Sequence, residues 1–458
     1  MELKFYGREH ELETITNLKN RVLQGGSRFA VVAGRRRVGK TRLITEALRG
    51  DERLPLIYWY INPEASEGSL AQRVMKSVQQ AFKLAYVPDC RTFRDVLEFI
   101  FECAKKQPVA LCIDEFQNME AKNPEAPGDI QELWDMERDE ANILLITSGS
   151  AASAMRDIFE NGRAPLFARQ DIFIHLFPFS PNLLKKIYRD CREDFTGEDM
   201  LSLYALSGAV AQYVRVLSDN CPEFDHSHML DLIFRTSSPL VSEAVIYLQS
   251  EFKREADVYY EILKKIATGT TKRSELVSSF SRDIGSHLAK LERVYGLIEK
   301  RVPLESEGQK GRTRYEFTDE LLAFWFRYLE PNAGLLQSEA REELRGIIVS
   351  DWSNWTGRVL ERFYYRHARL SGRFTRVGGW WDRKGENEID LIGINDLDKT
   401  IVFAEIKRNS RKASLQTLED KAMHFLVENK NLQSYERSFM VLSLDELSSS
   451  GQLPFGGC

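Results

Sequence analysis

Gly34-Arg-Arg-Arg-Val-Gly-Lys-Thr41 is the stretch on which the reading of this chain turns. It follows a short apolar run, Phe29 to Ala33, and leads into Arg42 to Arg49, where apolar residues recur at helical spacing. Strand, glycine-bounded loop and helix, in that order, are the setting in which G-x-x-x-x-G-K-[ST] marks a phosphate-binding loop. Gly34 and Gly39 let backbone N–H groups turn inward around an anion. The helix that follows points its positive end at the same anion. Lys40 is placed to reach the β- and γ-phosphates of a nucleotide, and Thr41 to hold Mg²⁺ through its hydroxyl. The competing explanation, a chance match on a turn rich in Gly and Arg, is outweighed by the flanking strand and helix.

At 458 residues the chain is too long for one core, and two to four domains are expected. The net charge of −5 gives no global signal for nucleic acid, so such binding has to come from a local patch. No apolar run approaches the roughly 20 residues of a membrane span. The start of the chain has no apolar segment of the signal-peptide kind. The six cysteines are scattered singly, with no C-x-x-C, and read as reduced packing thiols. These features point to a cytoplasmic protein with no membrane partner.

Around the loop the pattern alternates. Glu9 to Leu23 has helical spacing, and Leu54 to Ile61 reads as a strand. Helices are expected near Leu70–Phe82 and Phe93–Lys105. Pro108 to Glu115, Asn142 to Ser148 and Ile172 to Leu176 read as further strands buried on both faces. Such alternation predicts a right-handed parallel α/β sheet. Asp114-Glu115 ends one of these strands, at the edge where open α/β sheets bind ligands. Asp114 suits the water shell of the Mg²⁺ held by Thr41, and Glu115 suits orientation of an attacking water. An acid pair at a strand end is common; the upstream loop gives this one its meaning.

Phe5-Tyr-Gly-Arg-Glu9, the loop at Gly34–Thr41, Leu111-Cys-Ile-Asp-Glu-Phe-Gln117 and Ile143-Leu-Leu-Ile-Thr-Ser-Gly-Ser150 together resemble the AAA+/STAND class of P-loop ATPases. More narrowly, they resemble the archaeal-type ATPase family. The resemblance implies ATP and Mg²⁺ as cofactors. It places Tyr6, Gly7 and Arg8 near the adenine and makes the whole loop, Gly34, Arg35, Arg36, Arg37, Val38, Gly39, Lys40, Thr41 and Arg42, the nucleotide contact. Thr147 or Ser148 becomes the polar sensor of the γ-phosphate. Arg169 becomes the arginine that reaches it, with an ordinary surface arginine as the open alternative. Ser207-Gly-Ala-Val-Ala-Gln-Tyr213 resembles a family motif of the helical lid but departs from it: Ala209 replaces a glycine and Ala211 a proline.

Beyond the lid, Tyr259–Ala267, Thr271–Phe280 and Ser281–Lys300 have helical spacing, with Ser281 and Asp283 as candidate caps. Leu297–Val302 and Arg314–Phe317 flank a polar loop. Three helices and a hairpin make a winged helix. Arg282, His287, Lys290 and Arg293 are then candidates for DNA contact on its third helix, and Lys310, Arg312 and Arg314 in its wing. Internal docking is weighed equally, because Asp283, Glu292, Glu305 and Glu307 dilute the positive patch.

Farther on, Asp390 interrupts the apolar strand Ile389–Ile394, and Thr400–Lys407 places Glu405 and Lys407 two apart on one sheet face. Two acids from adjacent strands beside a lysine can bind a divalent ion and position a water against a phosphodiester. This constellation resembles the PD-(D/E)xK nuclease superfamily. That resemblance implies Asp390 and Glu405 as ligands of Mg²⁺ or Mn²⁺, Lys407 as the catalytic lysine and Glu361 as the helix acid completing the site.

The expected architecture is therefore α/β, with four parts. Residues 1–180 form a parallel-sheet P-loop ATPase core, 181–245 a helical lid, 246–335 a winged helix and 340–458 a nuclease-like α/β domain of the restriction-endonuclease kind. The expected function is Mg²⁺-dependent ATP binding and hydrolysis that gates a DNA nuclease. The alternative is a nucleotide-dependent DNA-binding or signalling switch whose C-terminal fold is catalytically inactive. An oligomer is left open.

Overall fold

The structure is a computed structural model. It describes residues 4–150, 152–235, 238–242, 245, 256–306, 311–337, 341–383 and 385–456. Its contacts divide the chain into two compact units, Gly7–Phe177 and Met1–Tyr6 with Pro178–Cys458.

The first unit is built on a five-stranded sheet in the order β2-β3-β4-β1-β5. The strands are β1 (Arg28–Ala33), β2 (Leu56–Tyr60), β3 (Val109–Asp114), β4 (Ile143–Gly149) and β5 (Ile172–His175), all paired in parallel. Every residue of β3 and β4 is buried. That accounts for their near-continuous apolar runs, since helices cover both faces of a parallel sheet. α1 (Glu9–Gln24) packs on β1, β4 and α2 (Lys40–Leu48). α3 (Glu67–Ala81) lies on β2 and on α4 (Phe93–Ala104), which also packs on α6 (Ala126–Glu137). The short α5 (Gln117–Lys122) and α7 (Ala152–Phe159) complete this unit's described helices. α4 starts at a capping box in which Thr92 and Asp95 satisfy each other's amides.

The second unit begins with α8 (Pro181–Cys191), whose Ser180 cap accepts from the Leu183 amide at 3.2 Å. α9 (Gly197–Ser207), α10 (Ala211–Asn220) and α11 (His226–Phe234) follow. Between α9 and α10, Gly208 and Ala209 both take left-handed backbone, at φ 56° and 60°. The alanine that departs from the lid motif thus keeps the backbone conformation a glycine adopts more easily.

Next come α12 (Ala256–Ala267), α13 (Arg273–Ser278) and α14 (Gly285–Arg293), then the antiparallel hairpin of β6 (Ile298–Arg301) and β7 (Arg314–Phe317). A bridge from Lys272 to Arg314 adds a third short edge. Asp283 accepts from the Gly285 amide at 2.9 Å. Ser281 makes no cap of α14, which begins after Ile284.

α15 (Glu320–Phe324) and α16 (Ala333–Gln337) lead to α17 (Arg341–Leu370), a 30-residue helix about 45 Å long. α17 runs under a four-stranded sheet, β11-β10-β9-β8. Its strands are β8 (Arg376–Trp381), β9 (Glu388–Asn395), β10 (Thr400–Ile406) and β11 (Glu436–Leu442). β8, β9 and β10 are antiparallel neighbours, and β11 returns parallel to β10 by way of α18 (Leu415–Glu428). Leu391, Val402 and Ala404 pack toward α17, while Ile392, Phe403 and Ile401 form a separate cluster with Phe425 of α18. Thr318 to Leu329, rich in Leu, Phe and Trp, is largely buried. Among the described residues no helix is long and apolar enough to cross a membrane.

One buried ion pair joins α15 to α17: Arg362 donates to both oxygens of Glu320, at 2.7 and 2.5 Å. Glu320 is 3% exposed. Arg362→Met strands that carboxylate and is expected to cost about 3–5 kcal/mol in equilibrium urea denaturation, with Glu320→Leu added to it restoring most of the loss.

Candidate active site

The loop between β1 and α2 closes against the sheet. Gly34 donates to the Gly149 carbonyl at 3.3 Å. A Cβ at Gly34 would lie 2.5 Å from the Leu176 carbonyl oxygen, so only glycine fits. Arg37 and Gly39 take left-handed backbone, at φ 69° and 103°, and Val38 is buried beneath the turn. Lys40 is itself 7% exposed. Its ammonium donates to the carbonyls of Gly34 at 2.8 Å and Arg35 at 3.3 Å. Burial lowers the Lys40 pKa, against the opposing pull of Glu115 and Asp114. Arg35, Arg36, Arg37 and Arg42 add positive charge to the same turn.

Asp114 ends β3 and collects donors. Thr41 Oγ1 approaches its Oδ2 at 3.5 Å, and the Tyr58 phenol donates to that same oxygen. Oδ1 accepts from the Ser148 hydroxyl and, at 3.0 Å, from the Glu115 amide. Burial raises the Tyr58 pKa, and the bond to Asp114 raises it further. Parallel pairing sets this up: Tyr60 and Ser148 are the register partners of Asp114, and Tyr58 lies two residues back on the face Tyr60 shares. Ser148, expected at the γ-phosphate, is here bonded to Asp114, and the Thr147 hydroxyl is buried without a hydrogen-bond partner.

Glu115 takes left-handed backbone at φ 55°, a strained conformation for a non-glycine residue. Its Oε2 accepts from Ser150 Oγ at 2.7 Å and from the Gln117 side chain. Lys40, Thr41, Asp114, Glu115 and Ser148 are thus brought together. Arg169 is instead tied to Asp135 of α6 at 3.0 Å and to the Phe167 carbonyl at 3.0 Å. Gly7 and Arg8 hold left-handed backbone at φ 64° and 68° before α1, and Arg8 bonds Glu11 at 3.4 Å and the Phe177 carbonyl. Tyr6 belongs to the second unit, where burial and a hydrogen bond with Asp190 push its phenol up to about 12.

A second cluster lies in the C-terminal sheet. The β9–β10 ladder runs to Leu391–Ala404, and just beyond it the Asp390 carboxylate caps the Ile406 amide at 2.8 Å. Lys407 Nζ sits between Asp390 at 3.2 Å and Glu405 at 2.9 Å. Lys421 of α18 reaches the other Glu405 oxygen at 3.4 Å. Burial raises the Asp390 pKa, with Lys407 opposing. Glu361, on α17, is pushed up to about 8 by burial and then by the neighbouring carboxylates of Asp390, Glu316 and Glu388.

The β6–β7 hairpin is fastened to this sheet. Arg314 pairs with Glu388 at 2.7 Å and stacks on Trp381 at 4.2 Å. Arg312 is 8% exposed, and its carbonyl accepts from the Trp381 indole at 3.2 Å. Leu304 donates to the Gly379 carbonyl at 2.8 Å, covering the edge of β8. So two of the three cations expected to face nucleic acid from the wing are occupied internally. The third, Lys310, lies outside the described residues. Lys290 and Arg293 of α14 and Arg282, which precedes that helix, are exposed, and His287 leans on Tyr259 with ring centroids 5.4 Å apart.

Residues 5–217 match the family described as an ATPase domain predominantly from Archaea. Residues 325–420 match a family of archaeal and bacterial proteins of unknown function. The chain carries an archaeal-type ATPase domain. Over 96% of its length it is 26% identical to the uncharacterized protein MJECL04 of Methanocaldococcus jannaschii, of which it covers 98%. In fold it is similar to the Walker-type ATPase PABY2304 of Pyrococcus abyssi, with a TM-score of 0.54 at 16% identity, over 70% of this chain and 96% of that one.

The residues of the ATPase domain fit a magnesium nucleotide. Gly34 leaves no room for a side chain where the backbone closes in, and Lys40 is a buried cation held by carbonyls alone among its described hydrogen bonds. Thr41 and Asp114 offer the hard oxygen donors that Mg²⁺ takes. At the C-terminal cluster the donor set is smaller. Among the described residues no group of three or more His, Cys, Asp or Glu is arranged to hold a metal. Asp390 and Glu405 alone suit an ion whose remaining ligands are water and phosphate oxygens.

Tyr58, Gln117, Ser150, Glu388 and Lys421 were missed by sequence reasoning. Tyr58 had a signal: a polar tip on the face that Tyr60 shares, one register step from Asp114. The others depend on packing between segments and leave no local pattern.

Glu361 gives this unit a pH signature. Its folded pKa lies above the unfolded value, so between about 4.5 and about 8 the folded state holds a proton that the unfolded state has released. Stability should therefore fall as pH rises through that window, and Glu361→Gln should flatten the slope in denaturation midpoints measured from pH 5 to 8.

Proposed function

We propose that the ATPase domain binds ATP with Mg²⁺ and hydrolyses it, and that its nucleotide state governs what the C-terminal unit does. The observation that carries this reading is the convergence of Lys40, Thr41, Asp114 and Glu115 on the loop mouth. When bound, Mg²⁺ would supply charge neutralisation at the phosphates. In this reading Lys40 exchanges two carbonyl partners for phosphate oxygens, and binding reverses the penalty of its burial. Thr41 and Asp114 would hold the metal through their side-chain oxygens. Glu115 exchanges Ser150 and Gln117 for the attacking water and orients it in line with the γ-phosphorus. Ser148 keeps Asp114 in place and senses the γ-phosphate through it. Arg169 leaves Asp135 to reach that phosphate in a closed state, and the Tyr6-Gly7-Arg8 segment lies by the adenine.

A second reading concerns the C-terminal cluster, and the geometry around Lys407 favours it. Two carboxylates from adjacent strands share one lysine, and a third acid, Glu361, stands near with its proton retained. Such a set supports metal-dependent hydrolysis of a DNA phosphodiester, with Asp390 and Glu405 on Mg²⁺ or Mn²⁺ and Lys407 on the scissile phosphate. The three helices α12, α13 and α14 and the β6–β7 hairpin of the second unit form a winged helix in this reading. Its wing serves as an internal dock, which leaves α14 as the nucleic-acid face. The competing outcome is a DNA-binding or signalling switch with an inactive nuclease fold.

Phosphate-release assays test the first reading. Lys40→Ala should abolish Mg·ATP binding in calorimetry, and Glu115→Gln should bind ATP yet hydrolyse it at least 100-fold more slowly. Equal rates for Glu115→Gln and wild type would remove Glu115 from the chemistry. For the second reading, plasmid incubated with Mn²⁺ and ATP should be cut by wild type and left whole by Asp390→Ala and Lys407→Ala. Plasmid intact with wild type selects the switch.

A further inference from the structure

We propose that Tyr58 is a positioning residue for the magnesium site of the ATPase domain, fixing Asp114 and Thr41 in their metal-facing orientations before the nucleotide arrives. The inference rests on the reading that this domain binds Mg·ATP. Nothing in the loop or the acid pair requires a tyrosine on β2; only the sheet brings it there.

The geometry is specific. β2 is the edge strand beside β3, in parallel register, with Tyr60 opposite Asp114. Tyr58 is two residues earlier on the same face, and its side chain is long enough to reach forward by that step. Its phenol donates to Asp114 Oδ2, the oxygen Thr41 Oγ1 approaches at 3.5 Å. The phenol also bonds the Thr41 hydroxyl, so it stands between the two groups that serve the metal.

A carboxylate has about four lone-pair sites. At Asp114 the Tyr58 phenol donates to one oxygen and Ser148 and the Glu115 amide to the other, with the Thr41 hydroxyl, 3.5 Å from Oδ2, sharing its one proton between that oxygen and the phenol. A carboxylate so directed has one orientation left. When the metal arrives, Thr41 must turn its oxygen toward the ion. Ser148 and the Glu115 amide hold only Oδ1, so Tyr58 is then the side chain that keeps Oδ2 in place. Its ring stays packed in the strand whether or not the hydroxyl is there, which makes phenylalanine a clean probe.

The test uses the full chain and a fluorescent ATP analogue that is not hydrolysed, titrated in EDTA and at graded Mg²⁺. Tyr58→Phe should raise the Mg²⁺ concentration that half-supports binding by roughly tenfold, the loss of one hydrogen bond to a charged group. Affinity in EDTA should change less than about twofold, because the loop that grips phosphate is untouched. Direct Mn²⁺ binding to the protein–analogue complex, read by electron paramagnetic resonance, should weaken in parallel. Ser148→Ala, which removes one of the two donors on the other oxygen, should shift the Mg²⁺ requirement in the same direction, and the double variant should show less than the product of the two shifts.

An unchanged or lowered Mg²⁺ requirement in Tyr58→Phe overturns the assignment. So does an equal loss of affinity with and without metal, which marks a purely structural tyrosine. Wild type that binds no analogue under either condition sinks the Mg·ATP reading itself, and that result appears before any variant is made.

Discussion

A cation buried in a loop of its own carbonyls is the constraint on which the first unit rests. Lys40 is almost wholly covered, and its ammonium is held by Gly34 and Arg35 oxygens. Carbonyl dipoles only partly replace the water it has lost, and its pKa falls accordingly. Such a group gains most from an anion that enters the turn. The rest of the unit keeps that turn in shape: Gly149 of β4 anchors Gly34, Leu176 closes over it, and α2 begins at Lys40, directly after the left-handed Gly39.

Two strands away, Asp114 organises the acidic side. Its carboxylate is the meeting point of β2, β3, β4 and the start of α2, through Tyr58, Ser148 and Thr41. A group hydrogen-bonded from so many directions is pre-organised, and pre-organisation is what a site for developing phosphate charge needs. Glu115 is held differently. Its backbone is strained and its carboxylate is bound to Ser150 and Gln117. The two carboxylates of the pair are thus held by separate sets of side chains.

In the second unit the same economy of charge appears without a loop. α17 supplies Glu361 to one acidic cluster and Arg362 to the buried Glu320. In the β6–β7 hairpin, Arg314 stacks on Trp381 and pairs with Glu388 rather than facing solvent. Glu388, the partner of Arg314, and Asp390 both raise the pKa of Glu361, so the hairpin's ion pair and the Lys407 cluster meet at that one buried acid.

The division between sequence and tertiary structure follows from how far apart the cooperating residues lie. The phosphate loop, the acid pair, the core strands and most helices were legible in the chain, because each is a local pattern: glycines at fixed offsets, apolar runs, a cap beside a helix. The shared face of Glu405 and Lys407 was legible too, from two-residue periodicity, whereas Asp390 on the neighbouring strand was joined to them by the resemblance. β8, β11 and α18 were not read as elements, being short or irregular in their apolar spacing and dependent on one another for burial. Tyr58 on Asp114, Ser150 on Glu115, Arg169 on Asp135 and Arg314 on Glu388 were decided only by the fold. Each joins segments whose distance is set by strand order and packing, and no periodicity along a single segment encodes which neighbour its far face will meet.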